Sequence, residues 1–318
     1  MNESVQLMKK IVENVEKVII GKRTAIELTL ISLVCNGHVL IEDVPGVGKT
    51  SLVSAIAKSI NASFKRIQFT PDIVPSDITG FSVYNQKTGD FEYRPGAIMS
   101  QIILADEINR TSPKTQASLL EVMEENQVTV DGVTYDVPKP FMVLATQNPV
   151  EYLGTFPLPE AQIDRFFMKI SIGYPLPGEE SLILTRYQHA SPLESLSPVA
   201  QAGDILSIQE EIKSVYVDKS LNNYIVDIVR QTRNHPDVTL GSSPRGSLSL
   251  FRAAQAWAFY NSRNYVLPDD IKKMTIPVLS HRIMLKQEAK LKRITSGDVL
   301  TYILGRIDVP VVNVYEKK

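Results

Sequence analysis

Little in this 318-residue chain can be cross-linked or ligated to a structural metal. It has one cysteine, Cys35, which excludes an internal disulfide framework and suits a reducing compartment. The four histidines (His38, His189, His235, His281) are scattered and lack cysteine partners at ligand spacing, which sets aside a structural zinc site. No apolar run approaches the roughly eighteen residues of a membrane-spanning helix, and the opening Met1-Asn-Glu-Ser-Val-Gln-Leu7 is not a signal peptide. The expectation is a soluble, cytoplasmic protein. An excess of one charge is missing too: 34 basic residues stand against 35 acidic ones, a net charge of −1, which leaves no compositional footprint for nucleic acid. There is no G-x-S-x-G elbow, and Cys35 lies in an apolar context that favours burial over reactivity. The length suits two domains with a substantial core.

What the chain does have is Asp43-Val-Pro-Gly-Val-Gly-Lys-Thr50, directly after the apolar run His38-Val-Leu-Ile-Glu42. An apolar strand, a glycine-rich turn and a Lys-Thr opening a helix form the order a phosphate-binding loop requires. The backbone amides of Gly46, Val47, Gly48, Lys49 and Thr50 can turn inward around phosphates. Lys49 can reach the β- and γ-phosphates, and the Thr50 hydroxyl can ligand Mg²⁺. Ser51 begins an amphipathic helix to Ile60 whose N-terminal dipole points at the same anion, and it completes the nucleotide-binding set. One residue departs from the pattern G-x-x-x-x-G-K-[ST]: Asp43 replaces its first glycine. That position lies at the strand end, where a side chain can point away from the ligand.

Helical spacing of Val5, Met8, Ile11, Val12 and Val15 predicts a first helix, and Arg23 to Cys35 a second. Apolar, strand-like runs recur at Val39–Glu42, Phe64–Phe69, Gln101–Asp106, Phe141–Gln147 and Phe166–Ile170. A helix from Thr111 to Asn126 lies among them, with Ser112 as cap and Pro113 in its first turn. Alternating strands and helices predict a largely parallel, doubly wound sheet. Two hairpins interrupt it: Val128 to Tyr135 around Asp131-Gly132, and Phe81 to Tyr93 around a longer loop. After the linker Tyr174-Pro-Leu-Pro-Gly178 the pattern becomes helical, with helices expected at Glu179–His189, Asp204–Lys213, Asp218–Arg233, Arg245–Ser262 and Pro268–Ile283.

The run Gln101-Ile-Ile-Leu-Ala-Asp106-Glu107 is an apolar strand ending in two acids. Side chains alternate along a strand, so the two need not share a task. Asp106 can hold Mg²⁺ directly or through water, and Glu107 can polarise an attacking water. The alternative is a strand end terminating in solvated acids.

Together with Ala105-Asp-Glu-Ile-Asn-Arg110, Ala145-Thr-Gln-Asn-Pro149, Leu158-Pro-Glu-Ala-Gln-Ile-Asp-Arg-Phe166, Gly241-Ser-Ser-Pro-Arg-Gly246 and Leu267-Pro-Asp-Asp270, these motifs resemble the AAA+ ATPases, and within them the MoxR family, over nearly the whole chain. The resemblance implies an α/β P-loop nucleotide domain with a parallel sheet over residues 1–174 and an all-α lid domain over 179–318. It implies ATP and Mg²⁺ bound between domains and between subunits of a ring, expected to be a hexamer. Asn148 looks like the sensor-1 residue orienting water near the γ-phosphate; a turn-forming Asn before Pro149 is the plainer alternative. Arg165 resembles an arginine finger reaching a neighbour's γ-phosphate, against a salt bridge with Asp164 or Glu160. Arg245 opens a helix, where a cation opposes the helix dipole, and looks like the sensor-2 arginine rather than a plain capping-region residue. Val18, Ile19 and Gly21 resemble the adenine-side loop, and Arg110 carries no assigned role. In this family the two hairpins project toward a central channel; a structural flap is the alternative.

The implied activity is ATP hydrolysis driving chaperone-like remodelling or maturation of a protein client, with a von Willebrand factor A domain protein as the usual companion. One rival is a nucleic-acid-stimulated motor, disfavoured by the neutral charge and by hairpin tips offering only Lys87. The other is a non-hydrolysing nucleotide switch, disfavoured by the presence of Glu107, Asn148 and Arg165.

Overall fold

The computed structural model describes residues 3–147, 155–188 and 191–310. Helices α1 (Glu3–Glu16) and α2 (Arg23–Val34) precede strand β1 (Val39–Glu42), which leads through the glycine-rich turn into α3 (Lys49–Ser59). There follow β2 (Phe64–Gln68), the short α4 (Pro75–Thr79), a hairpin of β3 (Gly80–Asn85) and β4 (Asp90–Pro95), and β5 (Ile102–Asp106). Next come α5 (Pro113–Glu125), a second hairpin of β6 (Gln127–Val130) and β7 (Val133–Asp136), β8 (Met142–Gln147), α6 (Glu160–Ile163) and β9 (Met168–Ile170). Five strands form one parallel sheet in the order β2-β5-β8-β1-β9. Its central strands read as continuous apolar runs because both faces are covered: Ile102 to Ala105 and Met142 to Ala145 are all inaccessible to solvent.

Both predicted hairpins form antiparallel ribbons outside this sheet. Asp131 and Gly132 take positive φ angles of 51° and 80°, which a tight two-residue turn of matching twist requires. The ribbons touch through Tyr93 and Tyr135, stacked at 4.1 Å between ring centroids. The first ribbon leaves Phe81, Tyr84 and Phe91 exposed, Phe91 by 74%.

Beyond β9 the chain is mainly helical: α7 (Pro177–Tyr187), α8 (Ala202–Ile212), α9 (Lys219–Asn234), α10 (Pro244–Tyr260), α11 (Pro268–Leu279), α12 (Gln287–Leu291) and α13 (Ser296–Leu304). The sequence reading did not anticipate α12 or α13, and it missed two further features here. Strands β10 (Val238–Leu240) and β11 (Met284–Leu285) pair antiparallel, and the helix expected to run from Pro268 to Ile283 ends at Leu279 in a 3₁₀ turn over Ser280–Arg282. No helix among the described residues is long and apolar enough to cross a membrane.

The helical part is fused to the sheet part rather than tethered to it. One cluster of buried side chains runs from α1, α2 and one face of the sheet into α8, α9, α10 and α11. Polar ties reinforce the seam: Asn14 Nδ2 donates to Ser59 Oγ and to the Ser197 carbonyl, both at 3.0 Å, and Gln209 Nε2 donates to the Leu33 carbonyl at 2.8 Å.

Candidate nucleotide-binding site

In a parallel sheet, loops at the carboxyl ends of strands converge on one edge, where ligands bind. The phosphate loop leaves the carboxyl end of β1, and Asp106 and Glu107 leave that of β5, with β8 between them. Gly46 and Gly48 take φ angles of 84° and 90°, and a Cβ built on either meets no atom within 4 Å. The loop is therefore an open nest of backbone at the N-terminus of α3, the form that admits phosphate oxygens. Lys49 opens that helix and its Nζ donates to the Asp43 carbonyl at 2.7 Å.

Asp43, the residue that breaks the generic loop pattern, faces away from the nest. Its Oδ2 accepts from the backbone N–H of Ile172 at 2.6 Å and Gly173 at 2.7 Å and from Ser171 Oγ at 3.0 Å. Its Oδ1 accepts from Val44 N–H at 2.9 Å. Burial alone would raise its pKa, but these donors outweigh burial and hold the carboxyl below its ordinary range. The extra charge ties the loop to the segment that follows β9.

At the end of β5, Asp106 Oδ1 accepts from Thr146 Oγ1 at 2.6 Å, and Asp106 Oδ2 pairs with Arg66 Nη2 at 2.6 Å. Thr146 Oγ1 in turn accepts from the Glu107 backbone N–H at 2.8 Å, so β8 fixes both acids. Glu107 has φ 58°, ψ 49°, a left-handed conformation that costs a non-glycine residue about 1–2 kcal/mol. That turn aims its carboxylate at Gln68 Nε2, 2.9 Å away, and at Arg110 Nε, 3.2 Å away. A hydroxyl at Thr50 and a carboxylate at Asp106 make the sparse donor set that suits magnesium, which keeps several waters and takes phosphate oxygens as further ligands.

The two arginines sit elsewhere. Arg165 Nη2 pairs with Glu124 Oε2 at 3.2 Å and its Nη1 donates to the Leu120 carbonyl at 2.9 Å. Neither Asp164 nor Glu160 is its partner: Asp164 Oδ1 pairs with the buried Arg282 at 2.6 Å, and its Oδ2 accepts from Ser243 Oγ at 2.8 Å. Arg245, in the first turn of α10, pairs with the same Glu124. The anion offsetting this cation at a helix N-terminus is thus a side chain of α5. Arg282 and His281 also reach back to the Phe166 carbonyl, at 2.6 and 2.9 Å. Burial, with Arg282 beside it, lowers the His281 pKa to about 3, so the ring is neutral and its Nε2 donates.

Of the adenine-side residues, Val18 and Ile19 are buried in the shared core, and Gly21 has φ 72°. A Cβ on Gly21 would lie 1.9 Å from Glu179 Oε1 of α7, so glycine permits that close approach. Asn148 lies outside the described residues. Sequence reasoning missed Arg66, Gln68, Thr146, Glu124 and Arg282. Thr146 sits inside the motif that ends in Asn148, and Arg66 and Gln68 alternate with buried Ile67 on β2. No local pattern marks the pairing of Glu124 with Arg165 and Arg245, 41 and 121 residues away, or that of Arg282 with Asp164, 118 residues away.

Residues 38–168 match the ATPase family associated with various cellular activities (AAA), and residues 230–303 match the AAA lid domain. The Bacillus subtilis protein YeaC is 55% identical over 305 residues, covering 96% of this chain and 95% of that protein. Chaperone MoxR1 of Mycobacterium tuberculosis is 39% identical over 318 residues, covering 97% of this chain and 84% of that protein. A crystal structure from Cytophaga hutchinsonii superposes with a TM-score of 0.91 at 40% identity, covering 97% of this chain and 96% of that one.

Proposed function

The chain belongs to the MoxR family of AAA+ ATPases, and from that premise we propose that it couples ATP hydrolysis to chaperone-like remodelling of a protein client. The observation that carries the catalytic reading is the convergence at one sheet edge of the open phosphate nest, Lys49 and the acidic pair fixed by Thr146. Amides of Gly46 to Ser51 bind the phosphates, and Lys49 exchanges the Asp43 carbonyl for phosphate oxygen. Thr50 and Asp106 would hold Mg²⁺, which would supply neutralisation of phosphate charge. Glu107, released from Gln68, orients the attacking water and accepts its proton, with Asn148 as a second ligand for that water.

Arg165 and Arg245 serve the γ-phosphate of a neighbouring copy, which makes the working form a ring, a hexamer by family precedent. The exposed aromatic ribbon at Phe81, Tyr84 and Phe91 is suited to touching a client in the channel, and a von Willebrand factor A domain protein is the expected companion. A reducing cytoplasm suits the single thiol of Cys35. The chaperone reading draws support from MoxR1, similar along 97% of this chain.

Lys49→Ala should abolish ATP binding, and Glu107→Gln should bind ATP without turning it over; isothermal titration and phosphate release measure the two. Tight binding by the first, or near-normal turnover by the second, removes the corresponding role. A pull-down from native lysate with Glu107→Gln, against Lys49→Ala as control, tests the remodelling reading. A protein enriched on the trap alone supports it, whereas enriched nucleic acid favours the motor.

A further inference from the structure

Arg165 and Arg245 come from different parts of the chain, yet both close on the two oxygens of Glu124 at the end of α5. This junction lies at the edge of the sheet opposite the phosphate loop. The preceding residue, Met123, accepts at its carbonyl from His38 Nε2 at 2.9 Å, and Phe167 N–H donates to the His38 carbonyl at 2.8 Å. His38 enters β1, whereas the phosphate loop leaves it. The strand Val39–Glu42 alone therefore puts about 10 Å between the two edges, before the loop adds its own length. Both arginines thus pair with a residue at the sheet edge opposite their own chain's phosphate loop.

We propose that Glu124 is a competing anion that occupies Arg165 and Arg245 together in place of the γ-phosphate of a second copy of this chain, which displaces it. This rests on the reading of both arginines as γ-phosphate ligands. Glu124 and its partners keep side-chain exposures of 34%, 30% and 50%, so the ion pairs are weak enough to exchange. A γ-phosphate offers the fork of each guanidinium a stronger charge in the same geometry. Glu124 also joins the two parts of the chain, because Arg245 rides on α10 and Arg165 adjoins Asp164, which Arg282 and Ser243 already bind. Both arginines are thus released or held together.

The test measures binding of a non-hydrolysable ATP analogue and of ADP to the full chain at concentrations where copies associate. Glu124→Gln keeps the side chain's shape and removes its charge. The expected result is analogue affinity tightened about threefold to fivefold, the weight of half-exposed ion pairs, with ADP affinity unchanged. The gain should vanish in Glu124→Gln combined with Arg165→Ala and Arg245→Ala. Equal effects on analogue and ADP, no effect on either, or a gain that persists without the arginines overturns the proposal. The underlying reading is tested separately: Arg165→Ala and Arg245→Ala should each lose ATP turnover and recover it on mixing with Lys49→Ala. Parent-like turnover in both alanine variants overturns that reading and the Glu124 assignment with it. Recovery on mixing without ATP–ADP discrimination by Glu124→Gln overturns the assignment alone.

Discussion

Asp43 shows how one side chain can look adverse in a motif and be structural in the fold. A carboxylate at the first position of a phosphate loop threatens repulsion only if it faces the ligand, and four donors turn it toward residues 171–173 and Val44. Restoring the generic glycine should therefore harm rather than help. Asp43→Gly strips the buried Ile172 N–H of its acceptor and should cost about 1–3 kcal/mol, read as a lower midpoint in urea. Its contribution is present above the ordinary carboxylate pKa of 3.8 and is lost only as pH falls below it, because the folded value is depressed. The motif identified Lys49, Thr50, Asp106 and Glu107, since each follows an apolar strand. It did not show that Gln68 and Arg110 engage Glu107, because that depends on the left-handed turn at Glu107, which no residue type announces.

Among the elements, legibility followed burial on two faces or on one clean stripe. The five sheet strands and both hairpins were readable from apolar runs and from Asp131-Gly132. Helix α13 was passed over although Thr295 and Asp298 cap it reciprocally, a signal present in the sequence as Thr-Ser-Gly-Asp. The break after Leu279 was not legible, because it is imposed by distant groups: His281 and Arg282 must turn to meet Phe166. Helix α10 is held at its start by Ser243, whose Oγ accepts from Arg245 N–H at 3.1 Å and donates to Asp164 at 2.8 Å. Ser243→Ala should destabilise the protein by about 0.5–2 kcal/mol in chemical denaturation. It should also weaken ATP turnover, because the element carrying Arg245 loses its tie beside Arg165; unchanged turnover would separate the cap from the site.

At the scale of the whole molecule, a core continuous from α1 to α11 predicts one cooperative unfolding transition in calorimetry, not two. A fragment ending at Gly178 should not fold, since it would expose the faces of α1 and α2 that the later helices cover. Acid should weaken the fold early. Burial lowers the pKa of His38 from 6.5 to about 4 and that of His281 to about 3, so the unfolded chain binds protons first. Stability present above pH 6.5 should decline as pH falls toward those values, and His38→Gln should flatten the slope of thermal midpoint against pH. The opposed edges of the sheet have a consequence for assembly. On the proposal that Arg165 and Arg245 serve a neighbour, each copy would receive at one end and give at the other, so a two-fold pair, which joins like surface to like, would not complete both sites. Copies would then add head to tail, and such a row has polarity. While it is open, the last receiving end goes unserved and one giving end is idle. Closure joins those two ends and creates one further working site without adding a subunit.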